Sequence, residues 1–399
     1  MVSKMQPSGS QTSQVASQYS RILEPPVMSF FLLGVRGVGK STWARERFSS
    51  ATRFDLLDEG LYQRLLGNPG LFADMLRPIS AGEWVVVDEV QRIPSLLNEV
   101  HRFIEEAGLY FALLGSSARK LKTAGTNLLA GRALWRTMHP LVPEELGDDF
   151  DLEKILRFGA IPLVWRSPSP KETLGAYIQL YLREEIKAEA LVRNLPGFVR
   201  FLPVAGLFHA QTLNVSSIAR DCGAARSTVN GYLEILEDTL LAWRLPAYEA
   251  SLRSRERKLP KLYWVDPGLV RGVKRHFGPV ASEERGALFE GWVHTLLRTY
   301  GQERELFDDL AYWAPAQSKD TEVDFLLHRN GEFLAIEVKA GATYSRSWLT
   351  GMKAIVDLPG IARRIILYTG QDVLRVAEGI EIWPVEHFLE SLAEDRLWP

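Results

Sequence analysis

Gly34, Gly39, Lys40 and Ser41 stand at the spacing G-x-x-x-x-G-K-[ST], the pattern of a loop that wraps phosphate oxygens. Gly34, Gly37 and Gly39 let the backbone turn tightly enough for successive N–H groups to converge on an anion. Val35, Arg36, Val38 and Thr42 complete the stretch. A helix opening near Ser41 would add the positive end of its dipole. Lys40 is expected to reach the β- and γ-phosphates, and the Ser41 hydroxyl to hold Mg²⁺. The expected ligands are therefore ATP or ADP and magnesium. The bland alternative is a glycine-rich strand–helix turn that binds nothing.

The apolar run Trp84-Val85-Val86-Val87 ends in Asp88-Glu89. A buried strand of this kind delivers its last residues to the carboxyl edge of a sheet, where ligands collect in open α/β folds. Asp88 is expected to hold the metal through water, and Glu89 to polarise an attacking water. Tyr110–Leu114 runs into Gly115-Ser116-Ser117, which makes Ser116 a candidate γ-phosphate sensor; a simple Gly-Ser turn reads the same. Arg132 follows Gly131 and is a candidate for a phosphate contact, in its own chain or in a neighbouring copy. A surface arginine is the other reading.

A second constellation lies near the C-terminus. Asp324 opens one strand and Glu337-Val338-Lys339 lies on the next, across a hairpin at Arg329-Asn330-Gly331-Glu332. The two-residue strand period puts Glu337 and Lys339 on one face. Glu290, on the preceding helix, is a fourth candidate. This set resembles the D…E-x-K pattern of the restriction-endonuclease-like superfamily. The resemblance implies carboxylates on Mg²⁺ and a lysine that activates water. A relic of the fold with no cleavage activity is equally compatible.

Residues 214–233 read as helix, glycine turn at Gly223, helix. Ile218 and Ala219 should face inward, and Arg226, Ser227 and Asn230 should stand exposed near the start of the second helix, where such motifs meet DNA. Docking of a protein is the alternative.

The elements that must position these residues alternate regularly. Apolar runs at Met28–Leu33, Thr52–Leu57, Trp84–Val87, Tyr110–Leu114 and Leu134–Met138 are separated by helical patterns, which implies a mostly parallel sheet with helices on both faces. Residues 144–205 read as mainly helical, with a break at Gly159-Ala160-Ile161-Pro162 and a long amphipathic stretch at Leu174–Val192. A basic loop is expected at Arg253, Arg255, Arg257, Lys258 and Lys261. The last third reads as α/β: strand Leu262–Val265, helix Ala287–Tyr300, and strands Val323–Leu327, Phe333–Val338 and Arg364–Tyr368.

The chain has 399 residues, 46% of them hydrophobic and 24% charged, with a formal net charge of −2. That charge gives no global basic field to draw it onto nucleic acid. A single cysteine, Cys222, excludes an intrachain disulfide and a multi-cysteine metal site. No apolar run reaches the roughly 20 residues that span a bilayer. Residues 1–20 are polar and of low complexity, and a disordered tail is expected. A cytoplasmic protein with no membrane partner is the expectation.

Gly34–Thr42, Val87–Gln91, Leu114–Ser117, Leu129–Arg132 and His139-Pro140-Leu141 together resemble a family of prokaryotic AAA-type P-loop ATPases. Phe158–Pro162, Tyr181-Leu182, Tyr263–Leu269 and Arg285–Glu290 extend the likeness to the C-terminal domain of unknown function that its members carry. Pro267 departs from the small polar residue usual there. The resemblance implies an α/β fold: an AAA-type parallel-sheet domain at 21–143, a helical lid at 144–205, a winged-helix-like segment at 206–252 and a restriction-endonuclease-like domain at 253–399. The resemblance supplies no settled cellular role; the leading expectation is an ATPase whose nucleotide state controls the C-terminal module, with DNA and a homo-oligomer as candidate partners. A nucleotide-gated switch without nuclease activity is the alternative.

Overall fold

The structure is a computed structural model that describes residues 19–119, 121, 129–181, 195–248, 259–315 and 321–399. Most of the expected tail, the far end of the Leu174–Val192 stretch with Leu182, and the loop residues Arg253, Arg255, Arg257 and Lys258 lie outside the described residues.

The N-terminal part opens with β1 (Phe30–Leu33), α1 (Lys40–Arg47), β2 (Thr52–Asp55), α2 (Glu59–Gly67) and α3 (Gly70–Leu76). It continues with β3 (Trp84–Asp88), α4 (Leu96–Ala107), β4 (Tyr110–Gly115) and β5 (Leu134–Thr137). All five strands fall where short apolar runs were expected. They form one parallel sheet in the order β2-β3-β4-β1-β5. Continuous rather than alternating hydrophobicity in β1, β3 and β4 follows from helices covering both faces. The apolar ring cluster of Phe30, Trp43, Phe48 and Trp84 anchors α1 to the sheet, with Phe48 and Trp84 centroids 4.7 Å apart and Phe30 edge-on to Trp43 at 6.1 Å.

A helical stretch follows: α5 (Pro143–Leu146), α6 (Leu152–Phe158), α7 (Pro162–Trp165), α8 (Pro170–Ala176), a π-turn at Tyr177–Tyr181, and α9 (Leu195–Leu207). Next come β6 (Gln211–Thr212), α10 (Val215–Cys222), α11 (Arg226–Asp238), β7 (Ala242–Leu245) and β8 (Lys261–Trp264). Asn214 caps α10 by accepting from Ser217 N, and Gly223 ends it in the left-handed region at φ 65°. Ile218 and Ala219 are buried while Arg226, Ser227 and Asn230 are exposed, as the pattern predicts. β6, β8 and β7 form a small antiparallel sheet beside this helix pair.

The chain closes with α12 (Pro267–Lys274), α13 (Ser282–Arg304), β9 (Asp309–Trp313), β10 (Val323–Arg329), β11 (Glu332–Lys339), α14 (Leu349–Ala354), β12 (Ile361–Tyr368), β13 (Leu374–Arg375), β14 (Glu381–Pro384) and α15 (Val385–Ala393). The strands form a six-stranded mixed sheet, β13-β14-β12-β11-β10-β9. Asn330 and Gly331 both sit at positive φ (53° and 85°) in the β10–β11 turn, which matches the twist of a two-residue hairpin. Helix α13 also reaches back to the first sheet. Gln302 exchanges hydrogen bonds with the main chain of Thr137, 2.8 and 2.9 Å, and so covers the open edge of β5.

Candidate nucleotide site

The phosphate loop leaves β1 at its carboxyl end. Gly34 N donates to Gly115 O at 3.3 Å, so the loop is fastened to the end of β4. A Cβ on Gly34 would meet Met138 O at 2.5 Å, which leaves no room for a side chain. Gly37 and Gly39 take φ of 76° and 103°, and Gly39 N-caps α1. Only glycine adopts these values without strain. Lys40 is buried and donates to Gly34 O at 2.7 Å. Three successive carbonyls of the loop are held by distant parts of the chain. Tyr177 OH donates to Arg36 O (3.0 Å), Leu163 N to Gly37 O (3.2 Å) and Arg21 Nη1 to Val38 O (2.7 Å).

Since β4 lies between β1 and β3, the ends of all three converge. Asp88 is buried at the end of β3, and Glu89 follows at φ 57°, a left-handed position costly for a non-glycine residue. The Glu89 carboxylate is gripped from the side. Gln91 Nε2 donates to Glu89 Oε2 at 2.5 Å and to Ser116 Oγ at 3.0 Å, and Ser116 Oγ lies 3.4 Å from the same carboxylate oxygen. Gly115 is needed for this, because a Cβ there would come within 2.6 Å of Gln91 Oε1. Ser116 is thus joined to Glu89 through Gln91, a residue to which the sequence reading assigned no role.

A cleft of about 640 Å³ lies over the loop. Gly37, Lys40, Ser41, Thr42 and Glu89 form its floor, and Pro162, Leu163 and Arg166 of the helical stretch overhang it. The overhang is held by a contact between two sequence-distant segments. Asp266, fully buried, N-caps α12 and accepts from Ala160 N at 2.7 Å. Burial raises its carboxyl to about 7, against the backbone N–H groups that pull it down. Pro267 sits at the first turn of α12, where its missing N–H costs nothing.

Magnesium fits this donor set. Asp88 and the Ser41 hydroxyl are hard oxygen donors, and magnesium characteristically takes one or two protein oxygens and completes its shell with phosphate and water. Among the described residues no three His, Cys, Asp or Glu side chains are grouped to hold a metal by themselves.

Arg132 does not join this site within the chain. β5 runs parallel to β1 with Leu134 opposite Phe30 and Thr137 opposite Leu33. Arg132 therefore lies beyond the Phe30 end, more than about 10 Å from the loop at ~3.3 Å per strand residue. There it pairs with Glu105. The strand register thus sets Arg132 at the end of the sheet away from the loop of its own chain.

The C-terminal set is brought together. β10 and β11 pair with Phe325 opposite Ile336, so Asp324 stands beside Glu337. Val338 N donates to Asp324 Oδ2 at 2.9 Å, and Lys339 Nζ to Glu337 Oε1 at 2.5 Å. Tyr263 OH donates to Glu290 Oε1 at 2.5 Å. Lys261 corrects the sequence reading: it is not a solvated loop residue but the buried first residue of β8. Its Nζ contacts Glu290, Glu322 and Asp324 at 3.0–3.1 Å. Burial, reinforced by the Asp324 charge, raises Glu290 to about 7 and Glu337 to about 8. For Lys261, burial opposes the charged form, but Glu290 and Asp324 outweigh it and raise its pKa. The residues present do not fit a metal here, since an ammonium already occupies the centre of the carboxylates.

The parts played by Arg21, Gln91, Leu163, Arg166 and Asp266, and the burial of Lys261, emerge only from the folded chain. Gln91 had a signal, two residues after an acidic pair. Arg21 had none, standing at the edge of a polar tail.

Comparison with known proteins agrees with the geometry of the first site. Residues 28–147 match the model of an AAA domain. Residues 149–277 and 285–388 match two domains of unknown function, DUF8612 and DUF4143. Two uncharacterized proteins, from Mycobacterium bovis and Mycobacterium tuberculosis, are each 26% identical over 376 residues, 92% of this chain and 82% of the relative. Among solved structures, a Walker-type ATPase of Pyrococcus abyssi superposes with TM-score 0.41 and 16% identity, covering 61% of this chain and 90% of the other. Protein VC1899 of Vibrio cholerae gives 0.23 and 13%, covering 93% and 97%. No described helix is long and apolar enough to cross a membrane. The AAA-domain match covers the part of the chain that carries the glycine loop and the Asp88–Glu89 pair.

Proposed function

We propose that the chain binds ATP in the cleft over Gly34–Thr42 and hydrolyses it. The observation that carries this reading is the convergence at one sheet edge of the glycine loop with Lys40, the Asp88–Glu89 pair and Ser116. In this reading the loop amides and Lys40 bind the phosphates, and Leu163 and Arg166 close over them. Glu89 accepts a proton from the attacking water. Gln91 and Ser116 hold that carboxylate in place until a γ-phosphate competes for their donors. Ser41, and Asp88 through water, would hold a magnesium ion, which would supply positive charge beside the phosphate oxygens. Release of radiolabelled phosphate tests the assignment. Glu89→Gln should keep nucleotide affinity and lose roughly 10²–10⁴-fold in turnover, the usual worth of a positioned base. Unchanged turnover removes Glu89 from the mechanism.

A second reading concerns what the nucleotide controls. Ala118 N donates to Asp238 O at 2.9 Å, and Arg119 Nη1 lies 3.2 Å from Asp238 Oδ2. These contacts tie the Ser116 turn to the end of α11. They favour a nucleotide-gated switch that moves a winged-helix-like segment, with the exposed Arg226, Ser227 and Asn230 as its contact to DNA or a protein. Fluorescence anisotropy with labelled duplex DNA, compared between ADP and a non-hydrolysable ATP analogue, tests this. Equal weak binding in both states argues against DNA. An oligomer in which Arg132 reaches a neighbour's nucleotide belongs to the same proposal.

A further inference from the structure

Asp324 and Glu337 on adjacent strands, with Glu290 from α13, bring three carboxylates around one buried ammonium or its immediate neighbours. A cation of the chain's own is already inside this cluster. Lys261 Nζ lies 3.1 Å from Glu290 Oε1, 3.1 Å from Glu322 Oε1 and 3.0 Å from Asp324 Oδ1. Its side chain is 2% exposed. A divalent ion held by these oxygens at about 2.0–2.6 Å would need the space that Nζ fills.

Several of the carboxylate oxygens have further donors. Asp324 Oδ2 accepts from Val338 N, Glu290 Oε1 from Tyr263 OH and Glu337 Oε1 from Lys339. Glu337 Oε2 is buried with no hydrogen-bond partner among the described residues, but a divalent ion demands about six ligands, and Nζ fills the space between the carboxylates that would supply them. Lys261 cannot swing away freely. It is the first residue of β8, with its backbone paired opposite Leu245 on β7 and Thr212 on β6. Its Nζ lies 5.7 Å from the centroid of the Tyr312 ring.

We infer that Lys261 is a built-in cation that closes this cluster to divalent metal, so that the C-terminal module of this chain does not cut phosphodiesters through it. The carboxylates instead join three pieces: the strand next to the helix pair, the long helix and the C-terminal sheet. Removing the ammonium while keeping the carboxylates should uncover a metal site.

The test is calorimetric titration of the nucleotide-free full chain with Mn²⁺, in an Asp88→Asn background that silences the phosphate-loop metal position. The background should show no saturable Mn²⁺ binding. Lys261→Met, which keeps the apolar stem, should gain one Mn²⁺ per chain and lose it again when Asp324→Asn is added. Two results overturn the inference: saturable Mn²⁺ binding by the background that Asp324→Asn abolishes, or a folded Lys261→Met that gains no Mn²⁺. Circular dichroism checks the fold, with Lys261→Gln as the polar substitute. If neither Lys261 variant folds, the background titration decides: silence supports the inference and Asp324-dependent binding overturns it.

Discussion

Replacing Gly159 by alanine should disconnect the overhang from the nucleotide cleft. Gly159 has φ 80° and ψ −178°, a region that essentially only glycine occupies, at a cost of about 1–3 kcal/mol for other residues. A Cβ there would lie 1.8 Å from Asp266 Oδ1 and 2.4 Å from its Cγ. Asp266 would have to move, losing its hydrogen bond from Ala160 N at 2.7 Å. A bond to a charged group contributes about 1.5–3 kcal/mol. Together these give a loss of about 2.5–6 kcal/mol, a large share of the 5–15 kcal/mol by which domains are usually stable. Because Ala160 leads directly into Pro162, Leu163 and Arg166, nucleotide affinity should fall about tenfold or more, tenfold corresponding to only ~1.4 kcal/mol. Urea denaturation and titration with a fluorescent ATP analogue measure the two effects. Gly175→Ala is the control: nothing lies within 4 Å of its Cβ position, so it should be neutral or stabilising by about 0.4–1 kcal/mol. Stability within ~0.5 kcal/mol of wild type and unchanged affinity in Gly159→Ala would refute the reasoning.

Arg21→Ala should destabilise the fold by about 3 kcal/mol, the low end for breaking a buried pair, because Glu145 keeps its bonds from Ile22 N and Val142 N. A thermal melt checks it, and an unshifted transition would show that Arg21 is not a clamp. Arg132→Ala should leave nucleotide binding intact but lower turnover by roughly 10³-fold or more if it serves a neighbouring copy. Turnover per chain should then rise with protein concentration in the wild type; equal turnover in the two proteins at high concentration counts against it. Glu337 has a folded pKa of about 8 against an ordinary 4.5, so its stabilising contribution is complete below pH 4.5 and is lost as pH rises to about 8. Glu290 acts in the same direction, while Lys261 and Lys339 stay charged throughout that window. Glu337→Gln should make the fall in stability with rising pH shallower, by at most about 1.4 kcal/mol for each pH step of one, the limit for a single proton. Urea midpoints between pH 5 and 9 would show it, and parallel curves for the two proteins would contradict it.

What was legible in the chain was local. β1, β3 and β4 are uninterrupted apolar runs that end in the residues they present, so Lys40, Ser41, Asp88, Glu89 and Ser116 could be placed at one edge before any contact was known. The hairpin that sets Asp324 beside Glu337 was legible for the same reason, since Asn330-Gly331 specifies its turn. β13 carries no signal because a strand of two residues has too little length for a period to register. What stayed hidden depended on partners far away in the chain. Lys261 reads as the end of a basic loop until Glu290, Glu322 and Asp324 surround it. Arg21 meets Glu145 across 124 positions, and Asp266 meets Ala160 across 106. Burial of a charge is decided by such partners, and no local pattern announces them.

The central claim is that the loop at Gly34–Ser41 holds a nucleoside triphosphate. Calorimetric titration of the folded chain with Mg·ATP, beside Lys40→Ala, tests it most directly. One saturable site per chain is expected in the wild type, with its loss, or at least a tenfold weakening, in the variant. No binding by well-folded wild type, or equal affinity in both proteins, would contradict it.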